Sequence, residues 1–337
     1  MKKKPIKVGL VGCGNAARNI HMPLFLKHRD IYSIVCCTDA VAETAAAFAR
    51  DFGVRALDGT DRLLDEREVE LVIVLTKPPL THRDIALKAL ASGKHVVVEK
   101  PMAGADAECA QMVQASESAR RVLAVHHNRR WDLDFLAARW AIESGLVGQV
   151  RLVRNEYVAG FTGSAYDWGI HIVDQTMCLS FGRRFVELSA AFCGPRPESP
   201  LESEGFFTCR LRTEDGVIHD LSMLPAFHGS AFRPGKMPAR FVIAGTEGIV
   251  YQDWCQRLED AFVKPVLYQP SGAGRPLPDL PFVSSKLLIP DFYESLYNAI
   301  RDGGPVPVPA SEGRRAVRAW ELICQSACEN RTLTTRL

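Results

Sequence analysis

The feature that most constrains the fold is an alternation in the first third of the chain, where short apolar runs rich in valine and isoleucine take turns with stretches of helical spacing. The runs are "IKVGLVG" (6–12), "IYSIVCCTD" (31–39), "VRAL" (54–57), "EVELVIVLT" (68–76), "KHVVVEK" (94–100) and "RVLAVHH" (121–127). Between them lie "NAARNIHMPLFLKH", "AETAAAFARDFG", "TDRLLDER", "THRDIALKALASG" and "ADAECAQMVQASESAR". Strands that are apolar throughout, each followed by a helix, imply a parallel sheet covered on both faces. The fold class predicted is α/β, with a doubly wound sheet over residues 1–126.

The first strand runs into "GCGNAA", in which Gly12, Gly14 and Ala17 fit G-x-G-x-x-G/A, with Asn15 and Ala16 inside the motif. The spacing has a physical purpose. Gly12 permits a tight turn, Gly14 admits a pyrophosphate close to the backbone, and Ala17 lets the helix pack near the strand. The unpaired N–H groups and dipole of the helix start then face the phosphates. Asp39 ends the second strand 22 residues after Ala17, near the spacing of about 20 at which an acid meets the ribose hydroxyls. An acid there repels a 2′-phosphate, so NAD is expected in preference to NADP, which stays possible. Asp39 can equally serve as the N-cap of the helix that follows.

In such sheets ligands bind beyond the carboxyl ends of the strands. Gly12–Ala17, Asp39, Thr76–Pro79, Glu99–Pro101 and His126–Arg130 are therefore predicted on one rim. Lys100, which would be costly inside a core, falls at a strand end beside a cofactor cleft, and Pro101 after it raises the expectation of a cis peptide bond.

Residues 127–337 read differently. "LVGQVRLVRNEYVAGF", "RFVELSAAFCG", "SEGFFTCRLRT", "GVIHDLSMLPA" and "ARFVIAGTEGIVYQ" alternate like strands, and "IHIVDQTMCLSFG", "IPDFYESLYNAIRDG" and "SEGRRAVRAWELICQSACENR" are amphipathic helices. "PVLYQPSGAGRPLPDLPF" is rich in proline and glycine and is expected to be a surface loop.

Several function classes are excluded. A balance of 41 basic against 39 acidic residues, with no basic run beyond Lys2–Lys4, offers no nucleic-acid face. No run approaches the roughly 18 apolar residues a membrane span needs. "MKKK" imitates an export signal, but the apolar run after it is short and broken by Lys7 and glycines. Ten cysteines without a CxxC pair or a Cys/His zinc spacing point to buried thiols in a reducing cytoplasm and to no metal.

The motifs "GCGNAA", "TKPPLTHRDIALKALASGKHVVVEKPMA", "HHNRRWDLDF", "YDWGIHIVDQ", "GTEGIVYQ" and "FYESLYNAIRDGGPVPVPASEGRRAVRAWELI", in this order, resemble the Gfo/Idh/MocA family of NAD(P)-dependent oxidoreductases. With "HMPLF", they are most similar to the branch that includes scyllo-inositol dehydrogenases. The resemblance implies a Rossmann domain followed by a C-terminal α/β domain with an open, mostly antiparallel sheet. That second domain would bind substrate and form a homodimer or homotetramer. It also implies hydride transfer between NAD(P) and a secondary alcohol of a sugar, inositol or related polyol. Lys100 of E-K-P and Asp167 and His171 of D-x-x-x-H take the catalytic positions. Thr76, Pro78, His82 and Glu99 fall to the cofactor side, and Arg130, Trp131 and Asp174, with the catalytic set, to the substrate side.

Asp167 and His171 are four apart, so a helix puts both on one face. A histidine, which titrates near neutrality, suits abstraction of a hydroxyl proton. His171 is expected to be the base, Asp167 to orient it or touch substrate, and Lys100 to position the reacting oxygen. Two departures from the branch matter. The stretch "EYVAGFTGSAY" (156–166) is short, which weakens transfer of inositol specificity, and "CCTD" lacks the Ser-Arg pattern of NADP-preferring relatives. The competing readings are a glycosidase acting through transient oxidation by bound NAD, and a non-catalytic nucleotide sensor, which would not need Lys100, Asp167 and His171.

Overall fold

The computed structural model describes residues 4–77, 79–159, 165–193, 205–225, 240–252, 266–269, 275–276 and 290–337. The chain divides into two compact units. One is Met1–His127 with Pro290–Val317, the other Asn128–Ile289 with Arg318–Leu337. The division after residue 126 read from the sequence lies one residue from the first break, while Pro290–Val317 group with the first unit.

In the first unit, β1 (Ile6–Val11), β2 (Tyr32–Thr38), β3 (Arg55–Ala56), β4 (Leu71–Val74), β5 (His95–Glu99) and β6 (Leu123–His126) form a sheet of order β3-β2-β1-β4-β5-β6. Every pairing is parallel. β1 therefore sits where the strand order reverses, and the carboxyl ends share one edge. Ile6, Val8, Leu10, Leu71–Val74 and Val96–Val98 are buried, as strands covered on both faces require.

A π-helical turn, Ala17–His21, leads into α1 (Met22–Lys27), so the helix expected after the glycines is underwound near its start. α2 (Ala42–Phe52) closes on left-handed Gly53, and α3 (Thr60–Leu64), α4 (His82–Ala91) and α5 (Asp106–Ala119) follow the predicted pattern.

In the second unit, α6 (Leu133–Glu143), β7 (Val150–Ala159) and α7 (Ala165–Cys178) come first. β8 (Phe185–Cys193), β9 (Phe206–Thr213), β10 (Ile218–Pro225), β11 (Phe241–Gly245), β12 (Ile249–Gln252), β13 (Val266–Tyr268) and β14 (Arg275–Pro276) follow. With β15 (Leu333–Thr334) they make a nine-stranded sheet, β14-β13-β12-β11-β7-β10-β9-β8-β15. All neighbours run antiparallel except β7 and β10. The proline- and glycine-rich stretch expected as loop contains β13 and the edge strand β14, where Pro276 costs no ladder bond that a central strand would need.

One face of the sheet is covered. Phe135, Ala138 and Ala141 of α6 pack with Val153, Phe241, Ile243 and Val250, and Asn155 Nδ2 on β7 donates to Ile172 O and Thr176 Oγ1 of α7 at 3.1 and 3.0 Å. The other face carries cross-strand ion pairs, Arg210 with Asp220 and Arg212 with Glu187.

α8 (Phe292–Asp302) belongs to the first unit and α9 (Ala310–Glu329) crosses the second division. Asp291 caps α8 by accepting Glu294 N–H at 3.0 Å. Tyr32 Oη donates to Tyr293 O at 2.8 Å, and Arg301 binds both oxygens of Glu70, so α8 is bolted to the first sheet. Among the described residues no helix is long and apolar enough to cross a membrane.

Gly169 on α7 is closely packed by aromatic rings of the second unit. A Cβ there would lie 2.6 Å from the Trp320 ring and 2.9 Å from Phe207. Gly169→Ala is expected to cost about 1–3 kcal/mol by overpacking, despite its better helix propensity. A lowered midpoint in urea with an unchanged slope checks it.

Candidate active site

The glycine turn of the first unit is built by sterics. Gly12 has φ +101°, and a Cβ would meet the Leu75 carbonyl at 2.9 Å, so the position excludes other residues. A Cβ on Gly14 would meet nothing within 4 Å, which leaves open space over the turn. Asn15 begins the helical turn, followed by Ala16 and buried Ala17. The first N–H groups of that turn have no partner within the helix. This cradle, with an open approach to backbone donors, fits a dinucleotide pyrophosphate.

Asp39 is tied to the turn. Its Oδ2 accepts Cys13 N–H at 2.7 Å and its Oδ1 accepts Val41 N–H at 3.0 Å. The N-cap position of α2 is Val41, so Asp39 braces the turn and the chain before the helix without being the cap residue.

Thr76, His82, Glu99 and Lys100 also come together within the first unit. His82 is 1% exposed; its Nε2 lies 2.8 Å from Thr76 O and its Nδ1 3.0 Å from Pro101 O. Burial draws its pKa down. Lys100 leaves β5 half-buried, and Lys100–Pro101 is cis. Pro78 lies outside the described residues.

Glu99 turns inward. Its Oε1 accepts His126 Nδ1–H at 2.7 Å and His21 Nε2–H at 2.9 Å, and its Oε2 accepts Lys100 N–H at 3.1 Å. Tyr293 Oη donates to His21 Nδ1 at 2.5 Å. Burial works against the charge, yet the two histidines hold the Glu99 carboxyl well below its ordinary value. Burial lowers His21 to about 4, helped by His126 and opposed by Glu99. This set of two histidines and a carboxylate has the donor atoms of a metal site. Both rings, however, direct a hydrogen at one carboxylate oxygen, and that oxygen stands where a cation would.

In the second unit, Asp167 and His171 lie one turn apart on α7, half-buried and 7% exposed. The Trp168 ring is 6.1 Å from His171, stacks on Tyr157 at 5.9 Å and carries the Arg129 guanidinium at 5.6 Å. Arg130 grips both oxygens of Asp174 at 2.8 and 2.6 Å, and Asp174 is 1% exposed. That pair fastens the 3₁₀ turn Asn128–Trp131, which also carries Trp131, to α7. Burial raises Asp132 to about 7; Arg129 pulls it down and Asp134 pushes it up. Buried Arg240 donates to Asn155 Oδ1, to Glu156 O at 3.0 Å and to Gln175 Oε1 at 2.6 Å.

The sequence puts His126 on the predicted rim without a role and does not point to His21 or Tyr293 as site residues. Their significance rests on the carboxylate they share, which strand register supplies by setting Glu99 opposite His126.

A family model described as an oxidoreductase family with an NAD-binding Rossmann fold matches residues 6–127. The oxidoreductase C26H5.09c of Schizosaccharomyces pombe, uncharacterised, is 33% identical over 72% of this chain and 69% of its own. The chain belongs to the Gfo/Idh/MocA oxidoreductase family. A second Gfo/Idh/MocA relative, scyllo-inositol 2-dehydrogenase (NADP(+)) IolW of Bacillus subtilis, is 27% identical over 98% of this chain and 96% of its own. The solved structure of the oxidoreductase YvaA from the same organism aligns with TM-score 0.82 at 25% identity, covering 98% of this chain and all of that one.

The acid response of the His21 site has a definite sign. The unfolded ring takes a proton near 6.5, the folded ring only near 4, so the unfolded state binds more protons between these values and stability falls as pH drops. Glu99 adds to the loss below 4.5. The wild-type melting temperature is expected to fall steadily from pH 6.5 to 4, and His21→Gln, which keeps a donor toward Glu99, to flatten that slope. Thermal scans at fixed ionic strength measure it.

Proposed function

We propose that this oxidoreductase is a dehydrogenase that moves a hydride between NAD and a secondary alcohol of a sugar, inositol or related polyol. The observation that carries the reading is Lys100, a half-buried lysine at the strand end of the dinucleotide-binding sheet, its backbone N–H held by Glu99 and the carbonyl of the residue after it by His82. Similarity to a scyllo-inositol 2-dehydrogenase over nearly the whole chain supports the substrate class.

The cofactor would be held by Gly12, Gly14, Asn15, Ala16 and Ala17 at the pyrophosphate, by Asp39 at the ribose, and by Thr76, Pro78 and His82 further along the rim. When bound, it supplies the hydride acceptor. His171 takes the hydroxyl proton, with Trp168 beside it limiting water. Asp167, one turn before, orients the ring or the substrate. Lys100 donates a hydrogen bond to the reacting oxygen and steadies the charge that develops there. Arg130 and Trp131 shape the substrate side, and Asp174 keeps Arg130 in place.

The measurement is reduction of NAD and, separately, NADP by a panel of inositols, sugars and sugar acids. Lys100→Met and His171→Ala are each expected to lower kcat by about 100-fold or more while NADH still binds. Full turnover in either variant refutes that residue's role, and activity confined to non-polyol carbonyls refutes the substrate class.

Asp39 supports NAD, because its carboxylate would repel a 2′-phosphate and both its oxygens are already engaged. IolW, by its name, uses NADP(+). Asp39→Ser is expected to improve the NADP-to-NAD ratio of kcat/KM by about fivefold, since it removes a charge repulsion worth roughly 1 kcal/mol. An unchanged ratio assigns the preference elsewhere.

A further inference from the structure

We propose that His21, His126 and Tyr293, acting through Glu99, are positioning residues that set where the Lys100 amine points. The inference rests on the reading of Lys100 as the group that meets the substrate, and its test is independent of that reading.

The geometry is a chain of single-purpose bonds. Tyr293 Oη donates to His21 Nδ1 at 2.5 Å, which leaves the His21 proton on Nε2, the atom facing Glu99. His126 brings a second N–H to the same carboxylate oxygen. With Oε1 filled, Oε2 faces the Lys100 N–H. His82 approaches the next carbonyl, Pro101 O, at 3.0 Å. The peptide before the Lys100 Cα and the carbonyl of the residue after it, joined to that Cα through the conformationally restricted proline, are thus anchored to side chains. A side chain on a fixed Cα samples fewer directions than one on a free loop.

Stability alone does not explain the cluster. Replacing buried ionic groups by packed apolar ones is often neutral or stabilising, so an ionised carboxylate with two histidines, 0% and 1% exposed, is an expensive way to fill space. What the carboxylate provides is direction, because it accepts three N–H groups from three segments at once. One of them, His21, closes the helical turn that begins at the glycine motif. The dinucleotide turn and the Lys100 peptide therefore share one strut.

The test is the rate at which acetic anhydride labels the Lys100 amine, read by mass spectrometry from about pH 6 to 10 with Lys27 and Lys88 as exposed internal references. His126→Ala and Glu99→Gln are expected to change the Lys100 profile by about threefold or more, equivalent to half a pH unit, with the references unmoved. His126→Asn, whose amide nitrogen replaces ring Nδ1–H, restores the wild-type profile. Tyr293→Phe removes one hydroxyl and keeps the ring, so it reports on the same chain in case His126→Ala does not fold. Its profile is expected to change in the same direction. Wild-type profiles in folded His126→Ala and Tyr293→Phe overturn the inference, as does failure of His126→Asn to restore. Full turnover of Lys100→Met in the NAD-linked polyol assay would instead remove the catalytic role of Lys100 and leave its positioning to be judged by labelling.

Discussion

The first unit is organised around a carboxylate that three N–H groups keep ionised. Glu99 sits at the carboxyl end of a central strand, where a parallel sheet offers its backbone to ligands. It faces inward, to His21 and His126, at the residue before the chain turns to Lys100. An unpartnered carboxylate in this largely buried position would be costly. The sheet end, the glycine turn's helix and α8 must therefore assemble together for any of them to be tolerable, and Tyr293 completes the set.

The second unit follows a different logic. Its titratable side chains Asp167, His171 and Asp174 lie along one face of a single helix, α7, which packs on a sheet. Arginines do the bracing. Arg130 fixes Asp174 by a two-pronged pair, and Arg240 threads between Asn155, Glu156 and Gln175 with Tyr157 and Phe241 against its plane. The aromatic stack of Tyr157 and Trp168 then gives His171 a stiff wall. Stiffness of that wall limits the directions from which any group can approach the His171 ring.

Sequence patterning carried most of this fold because local rules were followed closely. The run "VVV" at 96–98 could be little other than a strand buried on both faces, and "GCGNAA" announced its turn through Gly12, whose φ no other residue adopts easily. The D-x-x-x-H spacing placed Asp167 and His171 on one helix face before any coordinates. What escaped is long-range. Tyr293 is 272 positions from His21, and no periodicity links them. Arg130 and Asp174 each looked like groups free for substrate, since nothing local discloses that a 3₁₀ turn and α7 bring them into a bidentate pair. The short strands β13 and β14 were hidden by the prolines and glycines around them, and Pro276 itself lies on the edge strand β14, where proline is tolerated.

The first unit is discontinuous in the chain: residues 128–289 intervene between His127 and Pro290. During synthesis the six-stranded sheet leaves the ribosome long before α8 does, so Phe25 and Tyr32, which pack edge-on against each other, lack the Tyr293 ring, and His21 Nδ1 lacks its hydroxyl, until Pro290–Val317 arrives. The nascent Rossmann sheet is thus a waiting template with an uncovered aromatic flank, and its completion is delayed by the length of an entire inserted unit. Order of assembly, as well as contact energy, makes competence of the dinucleotide-binding half depend on the far end of the polypeptide.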